Sequence, residues 1–352
     1  MINEIKLKNF KCFNTLQLPV GRLNVLTGLN GMGKSSIIQS LLLIKQSEEQ
    51  GMLDKKIILN GKYVALGKCK DILYENAEVE EINISIFEDD NYISISTNYD
   101  AESDLIEVQS IKGEILPWFK NGFEYINAER VVPKSIYEQS SLYVDVYEQL
   151  GVYGQYTTHY LVKHQDDILI DYDGSKHILR DMVQYWLNEI SPNIKLSVRN
   201  VENSNLSQLN YYYLESNKSN EYRPINVGFG ITYVLPIITA LVKAKPNTTL
   251  IIENPEAHLH PKGQRRMGEL IARTVQRGVQ VFLETHSDHI LNGIRISVKN
   301  KVLGSDDVKL FYCYLKNNLH LIDTPKILNN GRLNYWPEGF FDEWDNALNE
   351  II

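Results

Sequence analysis

Residues 23–36 read LNVLTGLNGMGKSS, an apolar strand pattern that runs into a glycine-rich turn. The apolar residues behind the turn recur at helical spacing, at Ile37, Ile38, Leu41, Leu42 and Ile44. Gly28 and the run Gly33-Lys34-Ser35 have the spacing of a P-loop, in which backbone N–H groups surround a phosphate at the start of a helix. We therefore expect a nucleoside triphosphate here, with Lys34 on its β- and γ-phosphates and the Ser35 hydroxyl on Mg²⁺.

Composition limits the classes of protein to consider. The chain has 352 residues, 43% hydrophobic and 23% charged, which is typical of a soluble globular protein. The net charge of −8 means that any nucleic-acid contact would need a local basic patch. Three scattered cysteines, the absence of an apolar run near 20 residues and the mixed charges of the first ten residues lead us to expect a cytoplasmic protein with no membrane contact.

The first third is rich in strand patterns. Alternating apolar residues predict strands at 2–7 and 15–18, a turn between them, a hairpin around 88–91, and further strands at 105–111 and 123–127. Asn60-Gly61 between two apolar runs predicts another hairpin. The helix behind the P-loop is expected to end between residues 48 and 51.

The middle block, 129–223, is dense in tyrosine and has no sustained heptads, so a long coiled-coil arm is not expected. Residues 178–187 fit an amphipathic helix, and the polar stretch 201–223 predicts a surface hairpin tip with a strand at 208–214. The tyrosines suit either stacking on bases or ordinary packing.

The last third alternates helix and strand. Helices are predicted at 231–243, 262–277 and 290–298, with buried strands at 249–252 and 279–284. This alternation favours a parallel sheet covered by helices. A hairpin at 308–315 and 319–323 and a short amphipathic helix at the C-terminus complete the pattern.

An apolar strand that ends in acidic residues is what a Walker B element requires. Residues 248–256 read TTLIIENPE, with Glu253 and Glu256 at the end of the strand. A carboxylate at this edge of a parallel sheet can complete the shell of a Mg²⁺ ion. The alternative is a core strand that happens to end in two acids.

These motifs together resemble the ABC-class ATPase heads of SMC proteins, RecF-type recombination mediators and OLD-type ATPases. The resemblance rests on NFKCFNTLQL before the P-loop, NVGFG at 226–230, AHLHP at 257–261 and ETHSDH at 284–289. The sequence of the tail, YWPEGFFDEWDNAL, looks most similar to stand-alone bacterial members of this group. The resemblance as a whole implies an α/β P-loop fold with a mixed central sheet, an antiparallel N-terminal β-subdomain and a helical insertion. The expected parts are a β-rich lobe at 1–128, an insertion at 129–223 and a C-terminal lobe at 224–352.

The resemblance also implies roles for individual residues. The phosphate loop would comprise Gly28, Asn30, Gly31, Gly33, Lys34, Ser35 and Ser36. Glu253 falls where the family usually has a Mg²⁺-coordinating aspartate, and His286 matches the switch histidine that senses the γ-phosphate. Asn226, Gly228 and Gly230 match the signature motif, which contacts the ATP bound to the opposite subunit. A homodimer that encloses two ATP molecules is thus implied.

One departure from the family pattern affects catalysis. The usual catalytic glutamate position holds Asn254, whose amide cannot accept a proton from water. Either Glu256 serves as general base, with Glu284 as a second candidate, or hydrolysis is slow and the site acts mainly as a binding switch.

Two other readings concern charged and metal-binding residues. His258, His260, His286, Asp288 and His289 could form a metal site, although no cysteine or HxxxH spacing supports zinc. Arg130 either approaches the nucleotide or the dimer interface, or forms an ordinary surface salt bridge.

The leading functional hypothesis is an ATP-hydrolysing, dimerising switch in DNA repair or anti-phage defence. About 65 residues follow the switch histidine, too few for a Toprim nuclease domain, so any nuclease would be a separate partner. DNA is a further candidate partner. The alternatives are an ATP-sensing scaffold with negligible turnover and the nucleotide-binding subunit of a transporter.

Overall fold

A computed structural model describes residues 1–213 and 220–351. In chain order, its strands are β1 (Ile2–Phe10), β2 (Phe13–Pro19), β3 (Leu23–Gly28), β4 (Lys56–Ile58), β5 (Glu81–Glu88), β6 (Asn91–Asn98), β7 (Leu105–Gly113), β8 (Phe123–Ile126), β9 (Ile136–Glu138), β10 (Ile168–Ile170), β11 (Lys176–Ile178), β12 (Ile194–Asn200), β13 (Leu206–Tyr213), β14 (Thr249–Glu253), β15 (Gln280–Glu284), β16 (Val308–Lys316) and β17 (Leu319–Asp323). The helices are α1 (Lys34–Glu49), α2 (Thr157–His164), α3 (Leu179–Ile190), α4 (Phe229–Lys243), α5 (Pro261–Gln276), α6 (Asp288–Lys299) and α7 (Glu343–Ile351).

The chain divides into two compact units. The first, which we call the loop unit, comprises Met1–Asn121, Asp306–Lys326 and the segment from Leu333 onward. The second, the acidic unit, comprises Gly122–Ser305 and Ile327–Arg332. Within the described ranges, no helix is both long and apolar enough to cross a membrane.

The loop unit contains an antiparallel sheet of six strands in the order β2-β1-β5-β6-β7-β4. β1 presents Ile2, Ile5 and Leu7 to the core, so its alternating pattern produces the predicted half-buried strand. β3 pairs in parallel with β16, and β16 pairs in antiparallel fashion with β17, which confirms the predicted hairpin near the C-terminus. The P-loop helix also ends as predicted.

The hairpin predicted at Asn60-Gly61 forms only as a short turn. β4 pairs with β7, and the two flanks of the turn share an isolated antiparallel bridge between Asn60 and Ala65, with hydrogen bonds from the Gly61 N–H to the Val64 carbonyl and from the Leu66 N–H to the Leu59 carbonyl. The buried Gln46 side chain of α1 explains the difference: its amide donates to the Ile58 carbonyl at 2.6 Å and its oxygen accepts from the N–H groups of Tyr63 and Val64, both at 3.1 Å. The Ile58 carbonyl and the N–H groups of Tyr63 and Val64 are therefore bonded to a helix rather than to strand partners, which keeps the hairpin short.

The acidic unit contains a parallel array, β15-β14-β8, whose strands are buried as the apolar runs predict. The helix and strand predictions for 231–298 are confirmed. The middle block contains α2 and α3, the latter as predicted, together with an antiparallel sheet in the order β12-β13-β9 and the hairpin β10-β11. Of the strand predicted at 208–214, Leu214 lies outside the described residues.

Candidate nucleotide site

The phosphate loop of residues 28–36 joins β3 to α1 in the loop unit. Gly28, Gly31 and Gly33 have φ angles of 127°, 77° and 101°, in the region that side-chain-bearing residues avoid. Gly28 also lies so close to β16 that a Cβ would meet the Cys313 carbonyl oxygen at 2.1 Å. The glycines predicted from spacing are thus required by backbone conformation and, at Gly28, by packing.

The start of α1 is suited to an anion. Gly33 is the N-cap and supplies no side-chain acceptor, and the first helical turn carries no acidic residue. The N–H groups and the helix dipole at this end therefore favour negative charge. Lys34 is buried and its Nζ donates to the carbonyls of Gly28 at 3.0 Å and Leu29 at 2.9 Å, which holds its ammonium group against the loop.

A pocket of 360 Å³ adjoins the loop and is lined by Gly31, Gly33, Lys34, Ser35 and Ser36, and by Lys11, Cys12, Gln39, Asp71, Leu73 and Glu75. Ser35 and Asn30 are exposed, whereas Ser36 is buried and its hydroxyl accepts from the Cys12 thiol at 3.7 Å. Burial raises the pKa of Cys12, so the thiol stays protonated and can donate. The volume is in the range of small-ligand sites.

The second group of predicted residues lies in the acidic unit, where residues 253–256 begin at the last residue of β14 and are here called the acidic turn. Glu253 accepts from the Tyr125 hydroxyl at 2.9 Å and from the Ala128 N–H at 3.3 Å. Burial raises the pKa of Glu253, and these two hydrogen bonds oppose that shift. Both carboxylate oxygens therefore have protein donors, and the role of Glu253 as a Mg²⁺ ligand stays a prediction.

Asn254, at the expected position of the catalytic glutamate, adopts a left-handed conformation with φ of 44°. Its N–H donates to the Glu284 carbonyl at 2.9 Å. Its side-chain oxygen is buried and has no hydrogen-bond partner among the described residues. An unpaired buried acceptor costs free energy, so its presence at this position points to a constraint other than stability.

Glu256 lies against the turn that follows β15. Its Oε2 accepts from the Thr285 hydroxyl at 2.8 Å and its Oε1 accepts from the His286 N–H at 2.7 Å. The structure thus brings the predicted general base next to the predicted switch histidine. Thr285 was not predicted; its only sequence signal is its position between a buried strand and His286.

Arg130 is not on the surface. It is 4% exposed, and its two Nη atoms donate to the carbonyls of Asn127 at 3.1 Å, Glu253 at 2.8 Å and Asn254 at 2.8 Å. The interpretation as a surface salt bridge is therefore wrong, because the guanidinium binds backbone oxygens inside the acidic unit. Burial lowers the pKa of Arg130 to about 10, so the group remains charged at neutral pH.

The predicted signature motif at 226–230, here called the signature turn, leads into α4. Asn226 and Gly228 are exposed, and Gly228 is the N-cap of the helix. Gly230 packs against the segment after the acidic turn, where a Cβ would meet the His258 carbonyl oxygen at 2.3 Å. Only glycine fits this approach.

The histidines of the alternative metal site have other contacts. His258 packs against Phe229 and Tyr233, His260 accepts from the Lys262 N–H, and His289 lies 3.7 Å from Asp288. In the part of the chain that the structure describes, no group of three or more His, Cys, Asp or Glu side chains is arranged to hold a metal ion.

Comparisons with known proteins find ATPase-domain families and one nuclease relative. Residues 93–292 match the family model described as "AAA domain, putative AbiEii toxin, Type IV TA system", residues 1–152 match "AAA ATPase domain", and residues 303–351 match "Protein of unknown function (DUF3696)". An OLD nuclease from Thermus scotoductus is 21% identical over 392 residues, which cover 100% of this chain and 70% of that protein.

Two solved structures have a similar fold. An SMC head bound to the C-terminal winged-helix domain of ScpA has a TM-score of 0.57 at 12% identity, covering 93% of this chain and 98% of its own. An SMC head with an extended coiled coil, bound to the C-terminal domain of ScpA derived from Pyrococcus furiosus, has a TM-score of 0.54 at 12% identity, with 99% of both chains covered. The predicted fold, an α/β P-loop ATPase of the SMC-head type with mixed sheets, is confirmed.

Proposed function

We propose, since the chain belongs to the AAA-domain family described as "AAA domain, putative AbiEii toxin, Type IV TA system", that it binds ATP with Mg²⁺, dimerises around the nucleotide, and hydrolyses it as a switch for a separate effector. The single observation that carries this proposal is the phosphate loop: three left-handed glycines, an uncapped helix start and a buried lysine on the loop carbonyls. Such a loop offers N–H groups and a positive charge to a polyphosphate.

Within this proposal the predicted residues keep their roles. Gly28, Asn30, Gly31, Gly33, Lys34, Ser35 and Ser36 would bind the phosphates, and Ser35 and Glu253 would hold Mg²⁺. Glu256 would act as general base and His286 would sense the γ-phosphate; the backbone N–H of His286 donates to Glu256, so the two residues are neighbours. Asn226, Gly228 and Gly230 would contact the ATP of the partner subunit. The two lobes and the insertion at 129–223 remain the proposed domain division.

Isothermal titration with Mg·ATP tests nucleotide binding. Lys34→Met should weaken binding about 10- to 100-fold, because a charged hydrogen bond contributes about 1.5–3 kcal/mol. Lys70→Met is the control, since Lys70 is a solvent-exposed lysine of the loop unit that pairs with Glu102. Equal affinities for the two variants would contradict the proposal.

Phosphate release tests hydrolysis. If Glu256 is the base, Glu256→Gln should lower the rate by about 10²- to 10⁴-fold while ATP binding is retained. A rate unaffected by Glu256→Gln but lost in Glu284→Gln would assign the base to Glu284.

A second candidate function is an ATP-sensing scaffold with negligible turnover. Two observations favour it: Asn254 replaces the usual catalytic carboxylate, and both oxygens of Glu256 already accept hydrogen bonds. A wild-type chain that binds Mg·ATP but releases no phosphate would establish this alternative.

The partners are also proposals. The SMC heads with this fold were solved bound to ScpA domains, and one relative is a nuclease, which supports a protein effector and a role in DNA repair or defence. Light scattering with and without Mg·ATP tests the dimer; a chain that stays monomeric with ATP would remove the role given to the signature turn. Binding of duplex DNA at low salt tests the DNA role, and no binding there would contradict it.

A further inference from the structure

The signature turn and the acidic turn are connected inside the acidic unit by a small set of side-chain contacts around the buried Arg130. The signature turn opens α4, whose first turns carry Phe229 and Tyr233. The acidic turn ends β14. These two segments are separate in sequence, and Arg130, from a third segment, is one of the residues that join them.

Arg130 binds the acidic turn through its guanidinium edge. Its Nη1 donates to the Glu253 carbonyl and its Nη2 to the Asn254 carbonyl, both at 2.8 Å. A planar group with two separate donors fixes two successive peptide units at once, which a lysine cannot do. The backbone from which the carboxylate of Glu253 projects is therefore held by Arg130.

Arg130 binds α4 through its guanidinium face. The guanidinium carbon lies 4.2 Å from the centre of the Tyr233 ring, a cation–π arrangement. The Tyr233 hydroxyl donates to the Ala128 carbonyl and accepts from the Arg130 N–H, the latter at 3.3 Å. Tyr233 thus holds both the side chain and the backbone of the Arg130 segment.

A second contact joins the same two turns. The His258 ring packs edge-on against Phe229 at 4.7 Å and against Tyr233 at 5.0 Å between ring centres. The His258 backbone also lies against Gly230. A shift of the start of α4 therefore cannot leave the segment after the acidic turn in place, because packed side chains move together.

We propose that Arg130 and Tyr233 are positioning residues that couple the signature turn to the acidic turn of the same chain. Engagement of the signature turn with the partner subunit's ATP then fixes the backbone that carries Glu253 and Glu256, and turnover at one site depends on occupancy of the other. This inference rests on the proposed function. Neither residue contacts the nucleotide in this scheme; both act through the turn.

A matched pair of variants tests the coupling. Arg277 is a half-buried arginine of the acidic unit, and its Nη atoms donate to the carbonyls of Leu241 and Val242 at the opposite end of α4. Arg130→Ala and Arg277→Ala therefore each remove a guanidinium that donates to two successive backbone carbonyls and contacts α4, at opposite ends of that helix. Any effect common to both is structural.

Steady-state kinetics and Mg·ATP titration give the first readout. Arg130→Ala should lower kcat about 10- to 100-fold, with the ATP affinity changed by less than about twofold and the Hill coefficient near 1, because a small displacement of reacting groups is costly. Arg277→Ala should keep kcat and the Hill coefficient within about twofold. Guanidinium ion at millimolar concentration should restore part of the rate to Arg130→Ala, whereas Arg130→Lys should remain slow.

Hydrogen exchange gives a readout that needs no turnover. In Arg130→Ala, exchange should rise together at 228–233 and 253–258, whereas Arg277→Ala should leave both segments protected. Tyr233→Phe keeps the ring under the guanidinium, so the rise in hydrogen exchange in the same two segments should be smaller. If Arg130→Ala does not fold, Tyr233→Phe takes its place in this comparison.

The proposal is overturned if Arg130→Ala and Arg277→Ala lower kcat equally, if guanidinium restores nothing, or if exchange rises in only one of the two turns. Failure of the proposed function has a different signature, since the wild-type chain would then not bind Mg·ATP or would release no phosphate. The exchange comparison still decides in that case whether Arg130 joins the two turns.

Discussion

The phosphate loop and the acidic turn both follow a buried strand, but they are held in place by different means. The loop keeps its shape through glycine backbone conformations and contacts that exclude a Cβ, as at Gly28. The acidic turn keeps its shape through side chains from other segments, namely Tyr125, Arg130 and Thr285.

This difference shows where each region is sensitive to mutation. A loop defined by its backbone fails when a side chain is added, and it tolerates changes in neighbouring side chains. A turn defined by side chains fails when a donor is removed, since the carboxylates and carbonyls it leaves behind are half-buried and lose their partner. The predictions below test this contrast from the largest expected effect to the smallest.

Gly28→Ala should be the most damaging change, lowering the free energy of unfolding by about 3–5 kcal/mol through backbone strain and a clash with the Cys313 carbonyl. Gly31→Ala is the matched control: its φ is also positive, but a Cβ there meets nothing within 4 Å, so the cost should be about 1 kcal/mol. Urea unfolding measures both. Equal costs would mean that packing at Gly28 is unimportant.

Glu256→Gln should lower the free energy of unfolding by about 0.5–1.5 kcal/mol, because a neutral amide forms weaker hydrogen bonds with the Thr285 hydroxyl and the His286 N–H than a carboxylate does. A double-mutant cycle with Thr285→Val should give a coupling energy of about 0.5–3 kcal/mol, as for residues in direct contact. Additive costs would contradict the contact.

Glu253→Gln should change how stability depends on pH. Burial raises the folded-state pKa of Glu253 above its ordinary value of 4.5, so its contribution is most favourable at low pH and is lost as pH rises through the raised pKa. The glutamine side chain of the variant has no titrating group. The free energy of unfolding of the variant relative to wild type should therefore rise between pH 5 and pH 8, as measured by urea unfolding.

Glu102→Gln is the control for that comparison. Hydrogen bonds from Lys68 and Lys70 lower the pKa of Glu102 to about 2, outside this range, so its difference from wild type should not vary between pH 5 and pH 8. If the difference in stability between Glu253→Gln and wild type also does not vary with pH, the raised pKa of the buried Glu253 carboxyl is contradicted.

Ser36→Ala should have the smallest effect on folding, below about 0.5 kcal/mol, because its hydroxyl accepts only a weak thiol hydrogen bond. If Ser36 binds phosphate as proposed, Mg·ATP titration should nevertheless show a loss of affinity of about threefold to tenfold. A large loss of stability with unchanged affinity would assign Ser36 a structural role instead.

Local sequence patterns predicted most of the fold and part of the candidate site. Alternation predicted β5 and β6, helical spacing predicted α5 and α6, and glycine spacing predicted the conformation of the phosphate loop. The hairpin at Asn60-Gly61 is shorter than predicted for a specific reason, since hairpin propensity is a property of the segment itself and does not include the buried Gln46 amide that binds its backbone.

The sequence alone determined that residues 28–36 form a phosphate loop, because glycine's allowed φ angles are a property of each residue and need no partner. Only the tertiary structure decided that Arg130 is buried on the carbonyls of Glu253 and Asn254 rather than exposed, and that Glu256 faces Thr285. Such pairings join segments more than 25 residues apart, and a hydrogen bond over that distance depends on how the intervening helices and strands pack.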